Sequence, residues 1–195
     1  IRRRTPRGRP EIRGTGMTRI AVVLVAGLLS SAGYAAPSTG VVQPAPQVAA
    51  QDAPFLSIEG GEIRLSDWAG KSVLVVNTAS MCAFTPQYDG LQALYDTYCE
   101  RGLVVLAVPS NDFRQELGSA QEVREFCAIN FDLDLPMTDL TAVRGPDAHP
   151  FYQWVKAETG YEPTWNFSKI LVDGSGRVAG TWGPSVQPMG DELRA

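Results

Sequence analysis

Two apolar runs rich in β-branched residues constrain the fold of this chain more than any other feature. They are Ser72–Ala79 and Leu103–Pro109, and between them Tyr88–Arg101 carries leucines and tyrosines at helical spacing before Gly102. Uninterrupted apolar runs of this length are typical of strands that are buried on both faces. A strand, a helix and a second strand in this order predict a right-handed crossover that joins two parallel strands.

The remaining pattern extends this unit to a three-layer α/β domain. Hairpins are predicted at Phe55–Leu65 and Lys169–Trp182, because short strand-like runs flank Gly-rich turns there. One helix is predicted to follow Ser119, which forms a capping box with Glu122, and another spans Ala148–Glu158. The predicted fold class is a thioredoxin-like fold, with a central mixed β-sheet flanked by helices and an N-terminal β-hairpin.

Charge divides the 195 residues into two parts. Residues 1–35 carry seven arginines and one glutamate, a charge of +6, and the rest of the chain carries −10. A basic start, an apolar run and small residues follow Met17, which is the pattern of a secretory signal peptide. We predict an unfolded upstream leader at residues 1–16, a signal peptide at 17–35, a flexible linker at 36–53 and the domain at 54–195. The domain's last helix, after Pro188, is expected to continue beyond the final residue.

The signal peptide predicts export, and we expect a periplasmic location. An uncleaved membrane anchor is the alternative, but the apolar run Ile20–Leu29 is shorter than the about 20 residues that span a bilayer. The rest of the chain is acidic, which disfavours binding to nucleic acid and to anionic membranes, because both are polyanions. We therefore expect neither nucleic-acid binding nor stable membrane association. No metal site and no cofactor are predicted.

Cys82 is the residue on which the chemistry of this chain depends. It follows the first buried strand and precedes the first helix, and this edge of a parallel sheet is where α/β proteins carry their sites. A helix N-terminus favours the thiolate, which is the nucleophilic form of cysteine. Thr85 stands where a C-x-x-C oxidoreductase has its second cysteine, so dithiol exchange through that motif is excluded. The alternative at this stage is an inert buried cysteine.

Four segments around Cys82 and further along the chain resemble the glutathione peroxidase family. The resemblance covers about Phe55–Gln187, and the matching segments are Val76–Tyr88, Pro109–Phe113, Ala148–Tyr152 and Trp165–Phe167. It implies a thiol peroxidase in which Cys82 attacks the peroxide and becomes a sulfenic acid. It also implies that Trp165 and Asn166 are catalytic, because their N–H groups would stabilise the thiolate.

The chain departs from the family at Asp112, which stands where the family has a catalytic glutamine. Glutamine donates a hydrogen bond through its amide, whereas an ionised aspartate only accepts one. Asp112 is kept as a weak catalytic candidate. The alternatives are that it points away, that it is held protonated, or that Asn111 or Gln115 takes its place.

Cys127 is the candidate resolving cysteine, since cysteine-type family members form a disulfide with a cysteine in this region. It also shares an apolar helix face with Val123 and Phe126, so a buried core cysteine is the alternative. Resolution would require local unwinding of its helix, because a disulfide needs Cα atoms within about 7 Å. Cys99 is expected to be a structural thiol, and His149 to have a core or capping role.

The reductant and the oligomeric state are predicted from what the chain lacks relative to the family. Only twelve residues separate Tyr152 from Trp165, so the insertion of tetrameric members is missing and the chain resembles monomeric, thioredoxin-dependent members. The expected partners are a peroxide substrate and, as reductant, a thioredoxin-like protein, with glutathione as the runner-up. A peroxide-sensing redox relay is the alternative function, and a non-catalytic thioredoxin-like module is a further one.

Overall fold

A four-stranded sheet lies at the centre of the structure, a computed structural model that describes residues 50–194. The predicted leader, the signal peptide and residues 36–49 of the predicted linker lie outside the described residues. One-turn 3₁₀ helices lie at Ala50–Asp52, Leu65–Trp68 and Cys99–Arg101. The strands and helices are β1 (Phe55–Leu56), β2 (Glu62–Ile63), β3 (Ser72–Thr78), α1 (Gln87–Tyr98), β4 (Leu103–Pro109), α2 (Ala120–Phe131), α3 (Pro150–Thr159), β5 (Lys169–Val172), β6 (Val178–Trp182) and α4 (Asp191–Arg194).

The sheet has the strand order β4-β3-β5-β6 and is mixed, as predicted. β3 and β4 run parallel with Ser72 opposite Leu103, which confirms the predicted crossover through α1. β5 lies antiparallel to β3 and forms the predicted closing hairpin with β6.

Alternate residues of the central strands pack on opposite faces of the sheet, as the two-residue period of a strand requires. Val73 and Val75 pack with Phe151 of α3 in one apolar cluster. Leu74 and Val76 belong to a second cluster on the other face, with α1 and α2. Three layers result, and Cys82 belongs to the cluster on the side of α1 and α2.

Helix ends follow the predicted local signals. Ser119 Oγ accepts a hydrogen bond from Glu122 N at 3.3 Å, so the predicted N-cap is present; the Glu122 carboxylate accepts from the Ser119 hydroxyl at 3.0 Å and not from the backbone N–H of a full capping box. His149 caps α3, because its Nδ1 accepts from Phe151 N at 3.3 Å while its ring stacks on Phe55 with centroids 3.9 Å apart. Burial lowers the pKa of His149, consistent with a neutral ring between these groups.

Two boundaries differ from the sequence prediction. The N-terminal hairpin is shorter than predicted, because Ser57 pairs with Thr138 and Ile58 N donates to Met137 O at 3.1 Å. The folded chain also begins before Pro54, since the Asp52 carboxylate accepts from Ser66 N at 2.8 Å. Long-range pairing therefore sets both boundaries. No helix within residues 50–194 is long and apolar enough to cross a membrane.

Candidate active site

Cys82 lies in the loop between β3 and α1, where a threonine hydroxyl organises the backbone. Thr85 Oγ1 accepts a hydrogen bond from Cys82 N at 3.0 Å and donates to Ala79 O at 2.9 Å. Thr85 N in turn donates to Cys82 O at 3.0 Å. The residue that replaces the second cysteine of a C-x-x-C motif therefore fixes the shape of this loop.

The sulfur of Cys82 is nearly buried and accepts a hydrogen bond. Cys82 is 7% exposed, and Phe84 N donates to its Sγ at 3.4 Å. α1 begins five residues after Cys82, and the N–H groups of its first two residues donate to Phe84 O at 2.8 Å and Thr85 O at 3.0 Å. Donation by N–H groups favours the thiolate over the thiol.

Trp165 and Asn166 precede β5 and are positioned by β3. Asn77 Nδ2 donates to Trp165 O at 3.1 Å, and Ser168 Oγ donates to the same oxygen at 2.9 Å. Phe167 adopts a φ of +64°, which is uncommon for a bulky residue. Its N–H bonds to the carbonyl oxygen of Asn77, and this contact holds the turn in place.

Gln115 joins the Trp165–Asn166 turn to the Cys82 loop. Its side-chain oxygen accepts from Asn166 Nδ2 at 3.0 Å, and its backbone oxygen accepts from Met81 N at 2.9 Å. Asn166 is fully buried, whereas Gln115 is partly exposed. The Gln115 amide nitrogen remains as a hydrogen-bond donor in the same segment.

Asp112 does not join this group. Its carboxylate accepts from Val143 N at 2.7 Å and from Arg144 N at 3.1 Å, and so holds another loop. Of the alternatives considered from the sequence, these contacts agree with an Asp112 that points away, while the Gln115 side chain bonds to Asn166. Asn111 is also engaged elsewhere, since its Oδ1 accepts from Glu116 N at 3.3 Å.

A family model described as glutathione peroxidase matches residues 51–156 of this sequence, a stretch that includes Cys82. The chain belongs to the glutathione peroxidase family. A glutathione peroxidase of Lactococcus lactis is 40% identical over 146 residues, which cover 71% of this chain and 93% of that protein. The hydroperoxy fatty acid reductase gpx1 of Synechocystis is 40% identical over 150 residues, covering 71% of this chain and 88% of the relative. The protein is accordingly a peroxide-reducing enzyme.

Solved structures agree with the architecture. The crystal structure of Trgpx in its apo form superposes with a TM-score of 0.58 at 31% identity, covering 76% of this chain and 95% of that one. A thioredoxin-family thiol:disulfide interchange protein from Chlorobium tepidum superposes with a TM-score of 0.56 at 17% identity, covering 78% and 95%. The fold of the enzyme is therefore thioredoxin-like, as predicted.

The other two cysteines lie in different surroundings. Cys127 of α2 is 2% exposed, and burial raises the pKa of its thiol to about 11. Cys99, at the end of α1, is half-buried, and its Sγ lies 3.9 Å from Asp96 O. All three thiols of the chain are free in this structure.

Exposed apolar side chains flank the Cys82 loop and the Trp165 turn. Met81 is 65% exposed and Trp165 is 39% exposed, although both are large hydrophobic residues. The buried Phe113 packs against Trp165 with ring centroids 5.3 Å apart. Within residues 50–194, no group of three or more His, Cys, Asp or Glu side chains is arranged to hold a metal ion.

Proposed function

We propose that the enzyme reduces hydroperoxides through Cys82, with a sulfenic acid as the intermediate. The observation that supports this most directly is the nearly buried Sγ that accepts the Phe84 N–H next to the start of α1. The thiolate attacks one peroxide oxygen, so that an S–O bond forms while the O–O bond breaks. The departing oxygen takes up a proton and leaves as water or an alcohol.

Gln115 and Asn166 supply the amide groups for this step, with Trp165 beside them. Asn166 donates to the Gln115 side-chain oxygen, so the Gln115 side chain is oriented with its NH₂ group left over. Hydrogen-bond donors that are already in place stabilise charge that develops in a transition state. We therefore assign to Gln115 the role that the family pattern would give to position 112.

Organic hydroperoxides are the substrates that the surface best accommodates, in addition to hydrogen peroxide. Met81 and Trp165 expose apolar surface on the segments that carry the site. Contact with such surface favours a substrate with an apolar chain, since burying apolar area is favourable. A relative in Synechocystis is named a hydroperoxy fatty acid reductase, which supports the same substrate class.

Cys127 is proposed to resolve the sulfenic acid by forming a disulfide with Cys82. Both cysteines belong to the same apolar cluster on one face of the sheet. Cys127 lies within α2, so part of this helix must unwind before the sulfurs meet. A thioredoxin-like protein would then reduce the disulfide, with glutathione as the alternative reductant.

We also propose that the enzyme is an exported, periplasmic monomer. This proposal rests on the pattern that follows Met17 and on the short connection between Tyr152 and Trp165. Because export places the thiols in an oxidising compartment, the electron donor must itself be delivered there.

The test is peroxide consumption coupled to recycling by thioredoxin or, separately, by glutathione. Wild type is expected to turn over cumene hydroperoxide and hydrogen peroxide, and Cys82→Ser is expected to be inactive. Cys99→Ser is the matched control, because it removes a thiol outside the site. Rapid oxidation of Cys82 without turnover by either reductant would instead favour a peroxide-sensing relay.

A further inference from the structure

Lys169 is a fully buried cation that the reaction proposed above does not use. It is the first residue of β5, where it lies opposite Val76 of β3 and Trp182 of β6, and it is 0% exposed. Lysine is almost never fully buried unless it is paired. Among the ion pairs of residues 50–194, none includes Lys169. A buried ammonium group without a carboxylate partner is costly, so its presence requires a reason.

The ammonium group of Lys169 is held by two oxygen atoms from two separate segments. Its Nζ donates to Gln87 Oε1 at 2.6 Å and to Phe167 O at 2.8 Å, and both hydrogen bonds are buried. Gln87 is the first residue of α1, which follows the Cys82 loop. Phe167 directly follows Trp165–Asn166 in their turn. Lys169 therefore joins the two segments that carry the site, and with a pKa that burial lowers to about 8 it is still mostly charged at pH 7.

Gln87 connects this contact to the sulfur of Cys82. Its backbone N donates to Phe84 O at 2.8 Å, and Phe84 N donates to Cys82 Sγ at 3.4 Å. Its side-chain Nε2 donates to Pro184 O at 2.6 Å, so both ends of the amide are bonded and the side chain is held in one orientation. A shift of the Lys169 ammonium group is therefore passed through Gln87 to the loop that holds the sulfur.

The contact through Lys169 complements the contact through Gln115. Gln115 accepts from Asn166 and from Met81 N, and so connects the turn to the residue before Cys82. Lys169 connects the same turn to the helix start that follows Cys82. With one connection on each side of Cys82, the position of the turn relative to the sulfur is constrained from both directions.

We propose that Lys169 is a positioning residue for the oxidation of Cys82: its ammonium group holds the Trp165–Asn166 turn at the distance from the sulfur that the reaction needs. The inference rests on the proposed roles of Cys82 and of this turn. In this role Lys169 touches neither the substrate nor the sulfur and transfers no proton. Hydrogen-bond donors stabilise a transition state when they are already in place, and a displacement of about 1 Å lowers a rate by about 100-fold.

Two reactions of the same sulfur separate positioning from other effects. Alkylation of Cys82 by iodoacetamide depends on the thiolate fraction and on access to the sulfur. Oxidation by hydroperoxide depends on these and also on the donors that the turn supplies. A purely electrostatic effect of the Lys169 ammonium group on the thiolate would slow both reactions alike. A general loosening of the site would expose the sulfur and speed alkylation.

The experiment uses the full-length reduced protein at pH 7 and quantifies the Cys82 peptide by mass spectrometry, after hydrogen peroxide in one series and after iodoacetamide in the other. Lys169→Met keeps an unbranched side chain of similar length but has no hydrogen-bond donor. We expect oxidation of Cys82 in this variant to slow by about 100-fold, while alkylation stays within about threefold of wild type.

Gln87→Met removes the same contact from the other side and should also slow oxidation. The double variant should oxidise no more slowly than the slower single variant, because the effects of residues that act through one contact do not add. Lys156→Met is the matched control, since Lys156 is exposed on α3 and bonds to Glu162 at 3.0 Å. Both of its rates should equal those of wild type.

The positioning role is overturned if Lys169→Met leaves oxidation unchanged or moves the alkylation rate outside the expected range. Loss of the folded state in both Lys169→Met and Gln87→Met would assign the contact to folding and would overturn the role as well. In each of these cases Cys82 of wild type is still oxidised, so the proposed function stands. If hydrogen peroxide does not oxidise Cys82 in wild type, the proposed function fails and the positioning role fails with it.

Discussion

Gln115, and not Asp112, should support the oxidation of Cys82. Gln115→Ala removes the partner of the buried Asn166 amide and the donor next to the Cys82 loop. A hydrogen bond to a charged group contributes about 1.5–3 kcal/mol. At 1.36 kcal/mol per tenfold in rate, Cys82 oxidation should slow by about 10- to 160-fold.

Asp112→Ala should act on stability instead of on rate. It removes the two hydrogen bonds from Val143 N and Arg144 N, so the free energy of unfolding should fall by about 1–2 kcal/mol. The rate of Cys82 oxidation should stay within twofold of wild type. Gln115→Glu separates the two functions of the Gln115 side chain, because it keeps the oxygen that accepts from Asn166 but loses the amide hydrogen-bond donor.

The assay is stopped-flow measurement of Cys82 oxidation under single-turnover conditions, with tryptophan fluorescence as the signal. Denaturant titration of the same variants gives the free energy of unfolding. The reasoning is refuted if Asp112→Ala slows oxidation tenfold or more while Gln115→Ala leaves it unchanged.

Four further perturbations test other parts of the structure. Cys127→Ser should oxidise at Cys82 but stop at a sulfenic acid, which a dimedone adduct would reveal in the mass spectrum. Thr85→Val leaves Cys82 N and Ala79 O unpaired and should cost about 1–3 kcal/mol of stability, measured by urea unfolding, together with slower Cys82 oxidation. Burial lowers the pKa of His149, so the unfolded state binds the extra proton and stability should fall as pH drops below about 6.5; His149→Gln should weaken this dependence. Burial lowers the pKa of Lys169 to about 8, so the free energy of unfolding should rise between pH 8 and about 10.5 and should rise less in Lys169→Met.

The strands that carry the site could be predicted because their signals are local. β4 spans Leu103–Pro109 as expected, since Gly102 ends the preceding turn with a φ of +90°. The hairpin strands could not be placed as well, because Ser57 leaves β1 to pair with Thr138, 81 residues away in sequence. Long-range pairing of this kind leaves no mark on a local pattern.

The residues of the candidate site could likewise be predicted only in part. Cys82 was predicted from its place between a buried strand and a helix, and Trp165 and Asn166 through the resemblance, but the resemblance also placed the missing amide at Asp112. The backbone between Asp112 and Gln115 passes through Arg114 at a φ of +56°, which nothing in the arginine side chain signals.

The most direct test of Cys82 as the nucleophile is a count of the thiols lost after one equivalent of hydroperoxide. Fully reduced wild type should lose two thiols, Cys82 and Cys127, and should retain Cys99 for alkylation. Cys82→Ser should consume no hydroperoxide above the buffer rate and should retain both of its thiols. A Cys82→Ser protein that reduces hydroperoxide at the wild-type rate would contradict the assignment of Cys82.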